Sequence, residues 1–295
     1  MEIRVVDGNG ESRQIAVTMR TPGNDFELAV GFLVSEGIIA EPSVVRSVAY
    51  CTKLNGSVAV EQQYNIVTVS LSIAVADEAV RRSLTMSSSC GICGTATLDA
   101  IELALPSRLT NSANDHFDDH SGSSDGHSLS RPDAYSGGHV DGHVDGHSQG
   151  CSLGESLPKQ STMSVTEFVA LPERLRTAQG LFDRTGGVHA AGLYRFDGMQ
   201  LVVREDVGRH NAVDKCVGWA TLAKYPSLSE TALFVSGRIS FEIVQKAAMS
   251  GIALLGGVSA PTSLAIDAAT RFGMTLAGFV RDGQATVYSH PKRLI

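Results

Sequence analysis

The sequence lacks the long apolar runs and nucleotide fingerprints that would place it at once. No hydrophobic stretch reaches the ~20 residues that a membrane-spanning helix needs, so no membrane partner is expected. The opening residues, Met1-Glu2-Ile3-Arg4-Val5-Val6-Asp7, form an interrupted strand-like pattern rather than a secretory apolar core, and a cytoplasmic chain is the expectation. Neither G-x-G-x-x-G nor a Walker A loop occurs, which argues against an NAD enzyme or a P-loop NTPase. Cysteine is scarce, five in 295 residues. In a reducing compartment those five are not expected to build a disulfide scaffold. Metal binding and thiol chemistry stay open.

Net charge is also scarce once one segment is set aside. Residues 111–160 hold seven Asp and one Glu against Arg131 and Lys159, a net −6 of the chain's −7. The rest is nearly balanced and carries no bulk signal for nucleic acid or an anionic membrane. In the same segment Gly, Ser, His and Asp supply 31 of 50 residues. So little apolar surface cannot offset the entropy of ordering, and the expectation is a disordered insert. Its repeat His139-Val140-Asp141-Gly142-His143-Val144-Asp145-Gly146-His147 has a spacing that could bind Zn²⁺ or Ni²⁺ weakly, the plain alternative being a low-complexity tract with incidental metal affinity. The insert divides the chain into regions 1–110 and 161–295, each expected to be a domain.

Elsewhere, 43% hydrophobic and 19% charged residues are ordinary for a folded protein. The first region alternates at Ile3 and Val5 and again at Ile15 and Val17. A turn at Thr21-Pro22-Gly23-Asn24 then opens a helix over 25–35, whose Phe26, Ala29, Val30 and Leu33 recur at helical spacing before Gly37. Strands are expected over 44–50 and 64–73 and a helix over 95–105, an α+β arrangement. The second region alternates strand and helix: strands at 193–196, 201–204, 233–235, 252–258, 275–280 and 285–288, and helices at 211–224, 240–250 and 262–272. That pattern predicts a layered α/β sheet with helices on both faces.

The chemistry centres on Ser87-Ser88-Ser89-Cys90-Gly91-Ile92-Cys93-Gly94. Two thiols three residues apart can share a metal, form a disulfide, or pass sulfur between them. Structural zinc needs four ligands, and no second CxxC or HxxxH pair lies outside the insert. A redox dithiol is expected to open the helix of a small βαβ domain, whereas this pair follows several strands. A sulfur carrier needs an activated thiolate on a mobile arm. The flanking glycines and serines and the following helix N-terminus suit that role. The pair alone does not choose among the three.

Polar clusters in the second region look like a ligand site. Arg204-Glu205-Asp206-Val207-Gly208-Arg209-His210-Asn211 follows a strand and opens a helix. Thr185-Gly186-Gly187-Val188-His189 precedes a strand. Ser236-Gly237-Arg238-Ile239-Ser240 joins a strand to a helix N-terminus, where backbone N–H groups and Arg238 suit a phosphate, and Ser259-Ala260-Pro261-Thr262 repeats that geometry. Both turns lie where open α/β sheets bind ligands, beyond the carboxyl ends of strands. A surface turn and a satisfied structural histidine are the plain alternatives for the first two clusters.

Taken in chain order, Ser89 to Gly94 (SCGICG), Thr185 to Ala191 (TGGVHAA), Arg204 to Lys215 (REDVGRHNAVDK), Ser236 to Ser240 (SGRIS) and Ser259 to Leu264 (SAPTSL) closely resemble the FdhD family, sulfur carriers needed for formate dehydrogenase activity. Thr21 to Gly37 and Gly278 to Arg293 fit the same pattern, so the resemblance spans nearly everything but the insert. It implies a cytidine-deaminase-like three-layer α/β/α fold for the C-terminal region. It implies sulfur transfer from a cysteine desulfurase to the molybdenum cofactor, bis-molybdopterin guanine dinucleotide, on behalf of a molybdenum-dependent formate dehydrogenase. It makes Cys90 the persulfide carrier and Cys93 its partner. It makes Phe279, Val280, Arg281, Asp282, Gly283 and Gln284 the cofactor-binding stretch, with Arg238 and Ser236 nearby, and implies a homodimer. No resident metal or permanent cofactor is expected. The rival readings are a zinc-stabilised binding module and a divergent deaminase-fold enzyme. The second lacks the H-x-E and P-C-x-x-C zinc set, since Val188-His189-Ala190 has no glutamate.

Overall fold

A computed structural model describes residues 1–51, 64–75, 101, 105 and 161–295. Cys90 and Cys93, the insert 111–160 and all but two residues of the helix expected over 95–105 lie outside the described residues. Those two, Ile101 and Leu105, are buried. The described parts of Met1–Asn114 and Ser161–Ile295 belong to one compact unit, with an α/β architecture built on two sheets.

The first sheet has four strands, β1 (Glu2–Val6), β2 (Ser12–Val17), β3 (Val45–Tyr50) and β4 (Ile66–Leu71), in the order β2-β1-β4-β3. Strands β1 and β4 are parallel; the outer pairs are antiparallel. Alternation in β1 and β4 turns Ile3, Val5, Val67 and Val69 into the core. Helix α1 (Asp25–Ser35) covers this face. It starts where the sequence places it: Asn24 takes a left-handed conformation (φ 58), and Asp25 and Glu27 put negative charge on the helix N-terminus.

The second sheet has six strands, β5 (His189–Arg195), β6 (Gln200–Asp206), β7 (Thr231–Val235), β8 (Leu254–Gly257), β9 (Thr275–Arg281) and β10 (Gln284–Ser289), in the order β10-β9-β8-β7-β5-β6. Strands β7, β8 and β9 are parallel; β5 is antiparallel to both β6 and β7. Every residue of β7 is buried, as a strand covered on both faces must be. One face, with Leu233, Leu255 and Leu276, packs on α5 (Arg209–Leu222), α6 (Phe241–Met249) and α7 (Ser263–Arg271). The other, with Ala232, Phe234 and Leu254, packs on Phe168, Leu171 and Leu175. Those three residues come from the short helices α2 (Val165–Val169) and α3 (Leu171–Thr177), which α4 (Gly180–Thr185) follows. The expected helices on both faces are present. The short ones on the second face are additional to the sequence reading, because none is long enough to repeat an apolar face.

Helix α1 is buried from Leu28 to Ser35 because it packs on two layers, the four-stranded sheet and α5. Its contact with α5 is backbone on backbone. A Cβ on Gly31 would lie 1.7 Å from the Asp214 carbonyl oxygen, and one on Gly218 would lie 1.8 Å from that of Glu27. At the end of this contact the Lys246 ammonium bonds to Asp214 (2.9 and 3.1 Å), Glu36 (2.6 Å) and Ser35 (3.0 Å), while Ser35 donates to Asp214 (2.5 Å). Burial opposes the ammonium charge, but Asp214 and Glu36 outweigh it and hold the Lys246 pKa above its ordinary value. Substituting Gly218→Ala forces the two helices apart. Urea unfolding is expected to show a loss of about 3 kcal/mol or more, the upper end for an overpacked core; an unchanged midpoint would contradict the packing.

Candidate functional site

Strands β6, β7, β8 and β9 point the same way, so their carboxyl ends and the amino end of β5 share one edge of the sheet. That edge collects the polar motifs: His189, Asp206 to His210, Ser236 to Arg238, Val258 to Pro261, and Phe279 to Asp282. The loops are tied to each other there. Ile239 N–H donates to Ala260 (3.3 Å), Thr262 N–H to Ile239 (2.9 Å) and Phe279 N–H to Ser259 (3.3 Å). The Ser236 hydroxyl accepts from Ala190 N–H at 2.8 Å.

Much of the Arg204 to Lys215 run is architectural. Arg204 forms a two-pronged pair with Glu27 (2.5 and 2.7 Å). The Glu205 carboxylate accepts from Leu181 and Phe182 N–H (2.8 and 2.7 Å) at the start of α4. Asp206, fully buried, accepts from Thr21 N–H (3.1 Å), Gly208 N–H (2.9 Å) and Asn211 (3.0 Å) and pairs with buried Lys215 at 2.7 Å. Asn211 and Lys215 in turn donate to the carbonyls of Met19 (2.7 Å) and Thr21 (3.0 Å). This cluster clamps residues 18–21 onto the sheet edge.

Arg209 and His210 are left to face the edge. The Arg209 Nε is buried and has no hydrogen-bond partner among the described residues. The His210 Nε2 lies 3.4 Å from the Ser240 hydroxyl and 4.0 Å from Glu242. Burial first, then the positive charges of Lys246 and Arg209, push its pKa down to about 4. His210 is therefore a neutral imidazole at pH 7, and its contact with Glu242 is not an ion pair.

The remaining candidates sort by exposure. Arg238 is exposed and makes no hydrogen bond or ion pair with a described residue. Arg281 stands 5.8 Å from the ring centre of Phe279, which is 40% exposed and held at φ 49. Asp282 (φ 52) and Gly283 (φ 73) form the two-residue turn into β10, where Asp-Gly is the favoured pair. Gln284 is exposed, whereas Val280 is fully buried in the second core. Strands β7 and β9 are separated by β8 alone; Arg238 lies in the loop after β7 and Arg281 ends β9. Cys216 is not a reactive thiol. It is buried, donates to the Ala191 carbonyl at 3.2 Å, and burial pushes its pKa up to about 12.

One feature was not legible in the sequence. A cavity of about 610 Å³ opens between the short helices and the sheet, bordered by Gln179, Phe182, Val188, His189, Ser236 and Val258. That volume is within the range for small-molecule pockets. Only Gly186-Gly187 and His189 hinted at it.

An α/β protein of the same overall fold is known. A crystal structure of a formate dehydrogenase accessory protein from Desulfotalea psychrophila matches with a TM-score of 0.58 and 18% identity, covering 100% of this chain and 89% of the other. The sequence matches the FdhD/NarQ family over residues 5–120 and 136–295, and the chain belongs to that family. It is 40% identical over 296 residues to the sulfur carrier protein FdhD of Streptomyces avermitilis, covering 100% of this chain and 86% of the relative. It is 39% identical over 282 residues to the protein of that name from Mycolicibacterium paratuberculosis, covering 95% and 86%. Among the described residues no helix is long and apolar enough to cross a membrane.

The titration of His210 has a measurable consequence. The unfolded imidazole, with pKa ~6.5, takes up a proton before the folded one. The stability contribution of neutral His210 is thus complete above pH 6.5 and is lost as pH falls toward 4. With 35% of the side chain exposed, solvent screening keeps the effect modest. Melting temperatures of wild type and His210→Gln measured from pH 7 to 4 are expected to converge on acidification; parallel profiles would contradict the assignment.

Proposed function

We propose that this protein carries sulfur as a persulfide on Cys90 and delivers it to bis-molybdopterin guanine dinucleotide, the molybdenum cofactor, destined for formate dehydrogenase. The supporting observation is the gathering of the family's polar motifs at one sheet edge, in a chain whose relatives are named sulfur carriers. In this reading Cys90 thiolate attacks the terminal sulfur of a cysteine desulfurase persulfide, the donor's S–S bond breaks, and the donor leaves as a thiolate. The Cys90 persulfide then reaches the acceptor. Attack by Cys93 on the Cys90 sulfur releases hydrosulfide and leaves a Cys90–Cys93 disulfide, which a cellular dithiol resets.

The acceptor, as substrate, docks at the carboxyl edge of what we read as a cytidine-deaminase-like domain. Arg281 and Arg238 suit its diphosphate because they are exposed cations without a carboxylate partner among the described residues, and guanidinium pairs with phosphate oxygens in two-pronged geometry. The exposed Phe279 ring, the Asp282-Gly283 turn and Gln284 border the same spot. Ser236 holds β5 in place there. Val280 acts from beneath, by packing. The unreactive Cys216 leaves sulfur handling to thiols elsewhere in the chain. The protein acts in the cytoplasm as a homodimer.

Incubation with a desulfurase and cysteine is expected to add the mass of one sulfur atom to the peptide holding Cys90 and Cys93. Cys90→Ala should abolish both that gain and formate dehydrogenase maturation without changing the melting temperature. Normal maturation in that variant would refute the assignment. Arg281→Ala is expected to weaken guanine-nucleotide binding about tenfold by calorimetry; unchanged affinity removes Arg281 from the site.

A further inference from the structure

The charges buried where α1, α5 and α6 meet do not balance. Asp214 and Glu36 bring two carboxylates, and Lys246 is the one cation among the described residues that pairs with either. The side chains of Asp214, Lys246 and Glu36 are 1%, 5% and 10% exposed, and Ser35 is fully buried. With both carboxylates ionised the cluster holds one uncompensated negative charge away from water, which is costly. The groups that act on Asp214 are Lys246 from α6 and Ser35 and Glu36 from the end of α1. His210, one turn earlier on α5, senses Lys246 but is neutral.

The hydrogen bonds do not balance either. Lys246 Nζ has three N–H groups. It lies within bonding distance of four oxygens: Glu36 Oε1 (2.6 Å), Asp214 Oδ1 (2.9 Å), Asp214 Oδ2 (3.1 Å) and Ser35 Oγ (3.0 Å). Ser35 Oγ in turn lies 2.5 Å from Asp214 Oδ1 and 3.4 Å from the Phe32 carbonyl oxygen. A hydroxyl has one hydrogen, so an ionised Asp214 takes it and the Phe32 contact stays empty. A proton on Asp214 Oδ1 closes both counts. Asp214 then donates to Ser35, Ser35 donates to Phe32, and Lys246 gives one hydrogen each to Glu36, Asp214 Oδ2 and Ser35. Burial, the largest influence on Asp214, raises its pKa, as this arrangement needs.

We infer that Asp214 carries a proton in the closed cluster, which thereby acts as a pH-sensitive latch between α1 and the layer of α5 and α6. The proton comes from solvent and returns to it, and no other covalent bond changes. When it leaves, the Ser35 hydroxyl turns from Phe32 to Asp214, and two carboxylates compete for one ammonium. Glu36 is the more exposed of the two and sits at the very end of α1, so it is the one that turns to water. Helix α1 then loses its tie to α6 through Glu36, while Asp214 keeps Lys246. The folded-state pKa of Asp214 lies above the unfolded value of ~3.9. The stabilisation is therefore complete below pH ~3.9 and is lost as pH rises through the folded value.

Carbon-13 NMR of the full chain, labelled at aspartate, reads the proton directly. At pH 6 the Asp214 carboxyl carbon is expected at the protonated position in wild type. In Glu36→Gln, where one carboxylate faces one ammonium, it is expected at the ionised position. An ionised Asp214 in wild type, or a protonated one in Glu36→Gln, overturns the inference. Asp214→Asn keeps a donor for Ser35 and an acceptor for Lys246, and so imitates the protonated form at every pH. Its melting temperature is expected to match wild type at pH 5 and to exceed it at pH 9. A variant that melts below wild type by one margin throughout is what an ionised, paired Asp214 requires, and that result also overturns the inference. Should the variant not fold, the wild-type spectrum decides. The latch itself is read from Glu36→Gln, in which the fall of the melting temperature from pH 5 to 9 is expected to flatten. A fall as steep as that of wild type overturns it.

Discussion

The approach of α1 to α5 is the constraint from which the rest of the molecule follows. Two glycines facing each other's backbones allow two helices to touch without side chains between them. Their closeness places α1 against the four-stranded sheet on one side and against the helical layer of the six-stranded sheet on the other. No water can enter such a contact, so its polar groups must satisfy each other. Ser35, Glu36, Asp214 and Lys246 do so from three different helices. The arrangement is specific rather than strongly stabilising, because burying charge costs nearly as much as pairing it returns.

The same contact reaches the sheet edge. Residues 18–21, which lead into α1, are clamped by Asp206, Asn211 and Lys215. Glu205 meanwhile holds the start of α4 beside the cavity. Charged side chains in one short stretch thus have opposite fates. Those turned inward fix the geometry of the edge, and Arg209 and His210 stay at its surface. The formal charge left at the edge includes two exposed arginines. His210 is neutral, Arg238 has no partner among the described residues, and Arg281 leans on an aromatic ring.

Local patterns made much of this legible. Helix α1 runs over the residues its apolar spacing marks, and the strands from β5 to β10 fall within a few residues of their expected places. The Asp282-Gly283 pair, read in the sequence only as part of the cofactor-binding stretch, forms a hairpin turn. The polar run from Arg204 to Lys215 was harder. As sequence it reads as a ligand cluster, because four charges, a histidine and an asparagine in a row exceed what a turn needs. As structure it is chiefly a clamp. The short helices from Val165 to Thr185 left no periodic trace, since α2 buries only Phe168, α3 only Leu171 and Leu175, and α4 none of its residues.

What the sequence by itself determined is the order of the elements, the family and the thiol motif, all of which depend on neighbours along the chain. What only the tertiary structure decided is which polar groups are satisfied. Asp206 finds Thr21 across 185 residues and Lys246 finds Glu36 across 210, while Arg238 has no hydrogen-bond or ion-pair partner among the described residues. Burial and pairing are properties of contacts between distant segments. A run of letters therefore states which side chains carry charge or an amide, and the packing of α1, α5 and the sheet settles which of them remain free to meet a ligand.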